Sequence, residues 1–104
     1  MKWRLLAAFA GLISLVLVAQ DIPLAGYLRR IEFDGALRAD LATLTALHLA
    51  HATHIPCENL DVLLRRPIRL DVDSLHAKLV GDRRGGYCFE HNLLFAAALE
   101  KIGF

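Results

Sequence analysis

The sequence predicts a small, mainly α-helical domain carried behind an apolar leader. Three observations support this. Apolar residues recur at three- and four-residue steps in several windows of the 104-residue chain, capping residues bracket those windows, and strand-type alternation is confined to a few positions near 68–72. One small domain is the limit at this length. Hydrophobic residues make up 56% of the chain, which excludes a disordered polypeptide. The formal charge of +1 leaves no surplus for nucleic acid or for an anionic membrane surface.

The leader is distinct in composition. Residues 5–18 carry no charge and a single hydroxyl, Ser14, and Lys2 and Arg4 precede them, as in an export signal. As a helix this run would span roughly 21 Å against a hydrocarbon core of about 30 Å, short for a membrane span. Cleavage after Ala19 would put Leu17 where a small residue is expected. Residues 1–20 are therefore set apart as a signal-like or anchor-like segment, or as a misassigned start, and 21–104 as the folded body. With Lys2 and Arg4 set aside, 10 basic side chains in the body face 11 acidic ones, a net charge of −1. The two cysteines, Cys57 and Cys88, are too few for a disulfide scaffold and are not spaced as a zinc site, so both are expected as free thiols.

Ile22, Leu24, Tyr27, Leu28 and Ile31 mark one face of a short first helix, with Pro23 in its first turn and Arg29 and Arg30 at its C-terminal end. Asp34 and Gly35 read as a turn. Asp40 is the expected N-cap of a longer second helix with a core face of Leu41, Leu44, Leu47 and His51, ending near Ile55 because Pro56 disfavours helix before it. Residues 56–72, with Pro56 and Pro67, read as a structured connection with at most a short extended piece. Asp73 or Ser74 caps a third helix through Val80, with Leu75 and Leu79 inward and Gly81 as its stop. After Gly85 and Gly86 a last helix runs from Cys88 to Ile102, its apolar positions Phe89, Leu93, Ala96 and Leu99 closed by Gly103.

Cys88 thus stands at a helix N-terminus. Such an end stabilises an anion by about 0.3–1 kcal/mol, too little by itself to make an efficient nucleophile of an ordinary thiol, so an imidazolium partner is required. Gly85 and Gly86 allow close approach of substrate or backbone. Taken alone, a Gly-Gly-aromatic-Cys run reads equally well as a small residue packed at a helix start.

The wording around Cys88 is more specific. Arg83-Arg84-Gly85-Gly86-Tyr87-Cys88-Phe89-Glu90 resembles the active-site segment of the arylamine N-acetyltransferases, whose nucleophilic cysteine follows an Arg-Gly-Gly-aromatic sequence. Ile55-Pro56-Cys57-Glu58-Asn59-Leu60-Asp61 is similar to that family's Ile-Pro-Phe-Glu-Asn-Leu segment, with cysteine where phenylalanine is usual. Tyr27-Leu28-Arg29-Arg30-Ile31 and the ending Ala98-Leu99-Glu100-Lys101-Ile102-Gly103-Phe104 also fit, so the resemblance runs from about Ile22 to Phe104.

The resemblance implies the helical N-terminal domain of an α+β, papain-like thiol acetyltransferase, without the family's β-barrel and lid. It implies ping-pong chemistry: acetyl-CoA as co-substrate acetylates the cysteine, and an arylamine, arylhydroxylamine or hydrazine takes the acetyl group. Cys88 matches the nucleophile, Arg84 the motif arginine and Glu58 the motif glutamate, with Arg84 and Glu58 expected to pair and hold the Gly85 and Gly86 turn. The family's triad histidine and aspartate lie well downstream of the cysteine. This chain ends 16 residues after Cys88, and no position matches them. A truncated product, inactive alone, is the expectation. No coenzyme-binding residue is assigned, no metal is expected, and the resemblance implies a cytoplasmic protein unless residues 1–20 anchor or export it.

Local substitutes for the missing base are weak. His91 shares a helix face with Cys88, but side chains at three-residue helical spacing rarely also have an orienting third group, so it reads as an incidental neighbour. His48, His51, His54 and Cys57 recur every third residue, yet each step turns the side chain by about 300° on a helix, so three could not converge on one ion without another segment. Cys57 reads as a replacement for a packed aromatic ring that leaves its site underfilled. Two other classes are carried: a membrane-tethered helical interaction module without catalysis, and another thiol acyl-enzyme such as a papain-like hydrolase or transglutaminase.

Overall fold

A computed structural model describes residues 22–104; the leader 1–20, with its signal or anchor reading, lies outside the described residues. Those residues form five α-helices: α1 (Leu24–Arg30), α2 (Leu41–His54), α3 (Leu60–Leu63), α4 (Val72–His76) and α5 (Cys88–Ile102), with a π-helical turn, Ala77–Gly81, continuing α4. No strand occurs among the described residues. Extended pairing there is limited to one parallel bridge, Cys57 with Gly86. No helix among the described residues is long and apolar enough to cross a membrane.

The two long helices have the ends their caps dictate. Asp40 accepts from the Thr43 N–H at 2.8 Å, satisfying one orphan donor of α2, and the chain leaves helical geometry at Ile55, before Pro56. α5 starts at Cys88, where Glu90 accepts from the Tyr87 N–H at 3.1 Å, and ends at Gly103, whose φ of 119° suits glycine. Three local expectations are corrected. Pro23 is the N-cap of α1 and not part of its first turn. Asp71, in place of Asp73 or Ser74, caps α4: its carboxylate takes both the N–H and the hydroxyl of Ser74. The connection also contains α3, whose four residues are too few to show helical periodicity.

Tyr27, Ile31, Leu47, Ile55, Leu75, Leu79 and Leu94 are the fully buried large side chains of the core. For α1 and α4 these are the predicted faces. For α2 the predicted face is buried in part, at Leu47 and His51, and for α5 it is not. α2 buries Thr43, Leu47 and His51 and leaves Leu41 76% exposed; α5 buries Glu90, His91, Leu94, Ala97 and Ala98 and leaves Phe89 60% exposed and Leu93 outside. α5 is thus turned by about one residue, roughly 100°, from its apolar stripe. The polar side chains that α5 buries are partnered: Glu90 with Lys78 and the Tyr87 N–H, and His91 with His51 and Pro56 O.

Candidate functional site

The site forms where the Pro56-Cys57-Glu58 segment lies beside the Gly85-Gly86-Tyr87 turn that opens α5. The Gly86 N–H donates to Pro56 O at 3.2 Å, and the Glu58 N–H donates to Gly86 O at 2.9 Å. Gly85 is forced by this approach: a Cβ there would stand 2.1 Å from Pro56 O. At Gly86 a Cβ would meet Glu90 at 3.0 Å, so the second glycine is also closely fitted. Cys88 then emerges as the first helical residue of α5, exposed, on the rim of a cleft of about 340 Å³ lined by Cys57, Glu58, Asn59, Tyr87 and Cys88. Cys57 is likewise exposed, so the aromatic position it occupies is part of the cleft wall and not an underfilled core site.

A line of neutral hydrogen bonds holds one side of this junction. Tyr27 Oη is 2.8 Å from His51 Nδ1, His51 Nε2 is 2.9 Å from His91 Nδ1, and His91 Nε2 is 3.0 Å from Pro56 O. A carbonyl can only accept, so His91 Nε2 carries a proton and donates to it; with both rings neutral, His91 Nδ1 accepts from His51 Nε2–H, and His51 Nδ1 accepts from the Tyr27 hydroxyl. Pro56 O therefore receives both Gly86 N–H and His91 Nε2–H. Burial, reinforced by the neighbouring His91, His48 and Arg30, pushes the His51 pKa down to about 4, and burial raises that of Tyr27. Both His91 nitrogens are engaged with groups other than Cys88.

The other side is ionic. Arg84 places Nη2 3.1 Å from Glu58 Oε1 and makes a two-pronged contact with Asp61 at 3.1 and 3.0 Å. Lys78 Nζ lies 2.8 Å from both Asp61 and Glu90. Hydrogen bonds from Lys78 and Arg84 hold the Asp61 carboxyl down at about 2. Desolvation acts to lower the Lys78 pKa, but its bonds to Asp61 and Glu90 outweigh it and leave the ammonium above its ordinary value. Arg30, buried, donates to Leu79 O at 2.7 Å and His54 O at 2.6 Å, placing its charge at the carbonyl ends of the π-helical turn and α2.

The structure thus brings Cys88, Arg84, Gly85, Gly86 and Glu58 to one junction. Sequence reasoning missed Asp61, Lys78 and Glu90, and it assigned no partner to His51. Only the Glu90 position three residues after the Tyr87 cap carried a local signal. The spaced histidines do not converge: His48 meets Phe95 at a tilted angle, His51 belongs to the neutral line, and His54 pairs with Glu32 at 2.6 Å. Among the described residues no group of three or more His, Cys, Asp or Glu side chains is arranged to hold a metal ion.

A family model described as N-acetyltransferase matches residues 40–104. The chain is 55% identical over 82 residues to an arylamine N-acetyltransferase of Mycolicibacterium smegmatis, a match covering 78% of this chain and 30% of that protein. It is 54% identical over 78 residues to the Escherichia coli K12 protein of that name, covering 75% and 28%. Among solved structures, Nocardia farcinica arylamine N-acetyltransferase aligns with a TM-score of 0.78 and 52% identity over 82% of this chain and 30% of that one. The Mycobacterium marinum protein, solved in complex with CoA, aligns at 0.74 and 46% identity over 77% and 30%. This chain therefore spans about 30% of the length of these relatives.

Proposed function

Because this chain belongs to the arylamine N-acetyltransferase family, and its helical fold is that of the matched part of the solved relatives, we propose that Cys88 is the acyl-accepting nucleophile of an acetyl transfer. The observation that carries this reading is the placement of Cys88: an exposed sulfur at the N-terminus of a 15-residue helix, on the rim of a cleft, following a turn too tight for any residue but glycine. In the proposed first half-reaction the Cys88 thiolate attacks the acetyl carbonyl of acetyl-CoA, a carbon–sulfur bond forms to Cys88, the carbon–sulfur bond to coenzyme A breaks, and coenzyme A leaves as its thiolate. In the second, the nitrogen of an arylamine, arylhydroxylamine or hydrazine attacks acetyl-Cys88 and releases the sulfur. The relative solved with CoA supports the choice of donor.

The remaining residues act on the turn. Gly85 and Gly86 bring its backbone against Pro56, and Arg84 ties it to Glu58 and Asp61. The base must come from elsewhere, because His51 and His91 are committed to the Tyr27 line. With the two histidines of this junction, His51 and His91, both engaged elsewhere, acetyl transfer by this chain alone is negligible in our reading, and the cell compartment is the cytoplasm, as the family resemblance implies. The test uses the full chain with acetyl-CoA and, separately, with an activated aryl acetate, followed by peptide mass mapping. The expected result is selective acetylation of Cys88 by the aryl ester, absent in Cys88→Ser, with acetyl-CoA labelling at least roughly tenfold slower. Label spread over Cys57 and the lysines overturns the assignment of the nucleophile; rapid arylamine turnover with acetyl-CoA overturns the inactivity.

A further inference from the structure

We propose that Cys57 and Cys88 form a paired-thiol modification site at which a peroxide drives closure of an intramolecular disulfide. They are the chain's two cysteines, both are free and exposed, and both line the cleft at the start of α5. The backbone register places them together. In the parallel bridge Cys57 stands opposite Gly86, and side-chain direction alternates along extended chain. Tyr87 is extended, at φ −90° and ψ 178°, so the side that Gly86 shares with Cys57 is also the side of Cys88. Cys57 and Cys88 are thus diagonal neighbours across this bridge on the wall of one cleft, and a disulfide closes between cysteines whose Cα atoms come within about 7 Å.

The chemistry balances with a peroxide as oxidant. The Cys88 sulfur attacks one peroxide oxygen; a sulfur–oxygen bond forms, the oxygen–oxygen bond breaks, and the remaining oxygen leaves as water or alcohol with the thiol proton. Cys57 then attacks the Cys88 sulfenic acid, the sulfur–sulfur bond forms, and hydroxide leaves with the Cys57 proton as water. The two thiols together lose two electrons and the peroxide gains them. If Cys88 is the acyl acceptor, this bond takes it out of service until a reductant reopens it. That consequence rests on the proposed function; the oxidation itself does not.

The experiment treats the reduced full chain, shown to be helical by circular dichroism, with stoichiometric hydrogen peroxide and maps its peptides without reduction, in native buffer and in urea. The expected product is a Cys57–Cys88 linked peptide lighter by two hydrogens and reopened by dithiothreitol. It should form on the order of tenfold faster in native buffer than in urea, because the fold pre-positions the two sulfurs. Cys57→Ser, a substitution at an exposed site, should instead accumulate a dimedone-trapped sulfenic acid on Cys88. Sulfinic acid on Cys88 without a linked peptide, disulfides between chains, or equal rates in buffer and urea each overturn the pairing. Because acetylation is not measured, failure here leaves the acyl-transfer reading intact, and loss of that reading leaves this one standing.

Discussion

On one side of the contact between Pro56 and Gly86, Tyr27, His51 and His91 pass uncharged hydrogen bonds from α1 through α2 to α5; on the other, Arg84 and Lys78 are divided among Glu58, Asp61 and Glu90. Both sides fix the same backbone, the turn that delivers Cys88. They differ in what sustains them. The neutral line lies in the core, where each ring nitrogen has one partner and a proton added to His51 Nδ1 turns an acceptor into a donor facing the Tyr27 hydroxyl, which must then reverse its own bond. The ionic side keeps two cations against three carboxylates, of which Asp61 and Glu90 are buried, so geometry and burial, more than the number of pairs, decide its worth. One clamp is vulnerable to protonation as pH falls from about 6.5 toward 4, the other to loss of a charge.

The largest expected effect removes the surface the two clamps share. Gly85→Ala drives a Cβ against Pro56 O, a backbone atom that His91 and Gly86 already hold, so the segments must separate. A loss of about 4 kcal/mol or more is expected, read as a urea midpoint shifted to low denaturant or lost altogether. A midpoint unchanged from the parent would mean the two segments are not clamped at all. Next comes the ionic side alone. Lys78→Met keeps the aliphatic stem but leaves Glu90, 2% exposed, without its cation, at a cost of about 3 kcal/mol. Added salt should recover little of it, because Lys78 and Glu90 are mostly shielded from solvent. Strong recovery in salt would place this pair among ordinary surface ion pairs.

That contrast also marks where the sequence is readable. Arg84, Gly85, Gly86, Cys88 and Glu58 lie in two short contiguous segments whose residue order survives inspection, and the bounds of α2 and α5 follow from Asp40, Pro56 and Gly103, which act on their immediate neighbours. The buried face of α5 does not follow, and that of α2 follows only at Leu47 and His51. Apolar spacing favours the Phe89 and Leu93 side of α5, but Glu90 and His91 enter because Lys78, His51 and Pro56 O meet them there. Asp61 is 23 residues from Arg84, and nothing local in either distinguishes a clamp from a solvated loop charge. The π-helical turn Ala77–Gly81, which carries Lys78, has no sequence mark either. Polar burial is a property of pairs, and pairs separated in sequence leave no periodic trace.

The smaller effect separates the clamps by pH. His51 titrates near 6.5 when unfolded and about 4 when folded, so the unfolded chain binds the proton more readily between those values. Its contribution to stability is whole above about 6.5 and drains away as pH falls toward 4, by on the order of 2–3 kcal/mol. Asp61, with an ordinary value of 3.8 and a folded value of about 2, keeps its contribution above 3.8 and loses it only below. The two sides therefore fail in successive windows. His51→Phe retains a ring against Tyr27 and Phe95 and removes the titration. The variant should be weaker at pH 7, where the Tyr27 hydroxyl loses its partner, yet its urea midpoint should fall less steeply between pH 6.5 and 4, with the steep region below 3.8 unchanged. Equal slopes in the two proteins across the upper window would show that the neutral line is not what acid attacks first.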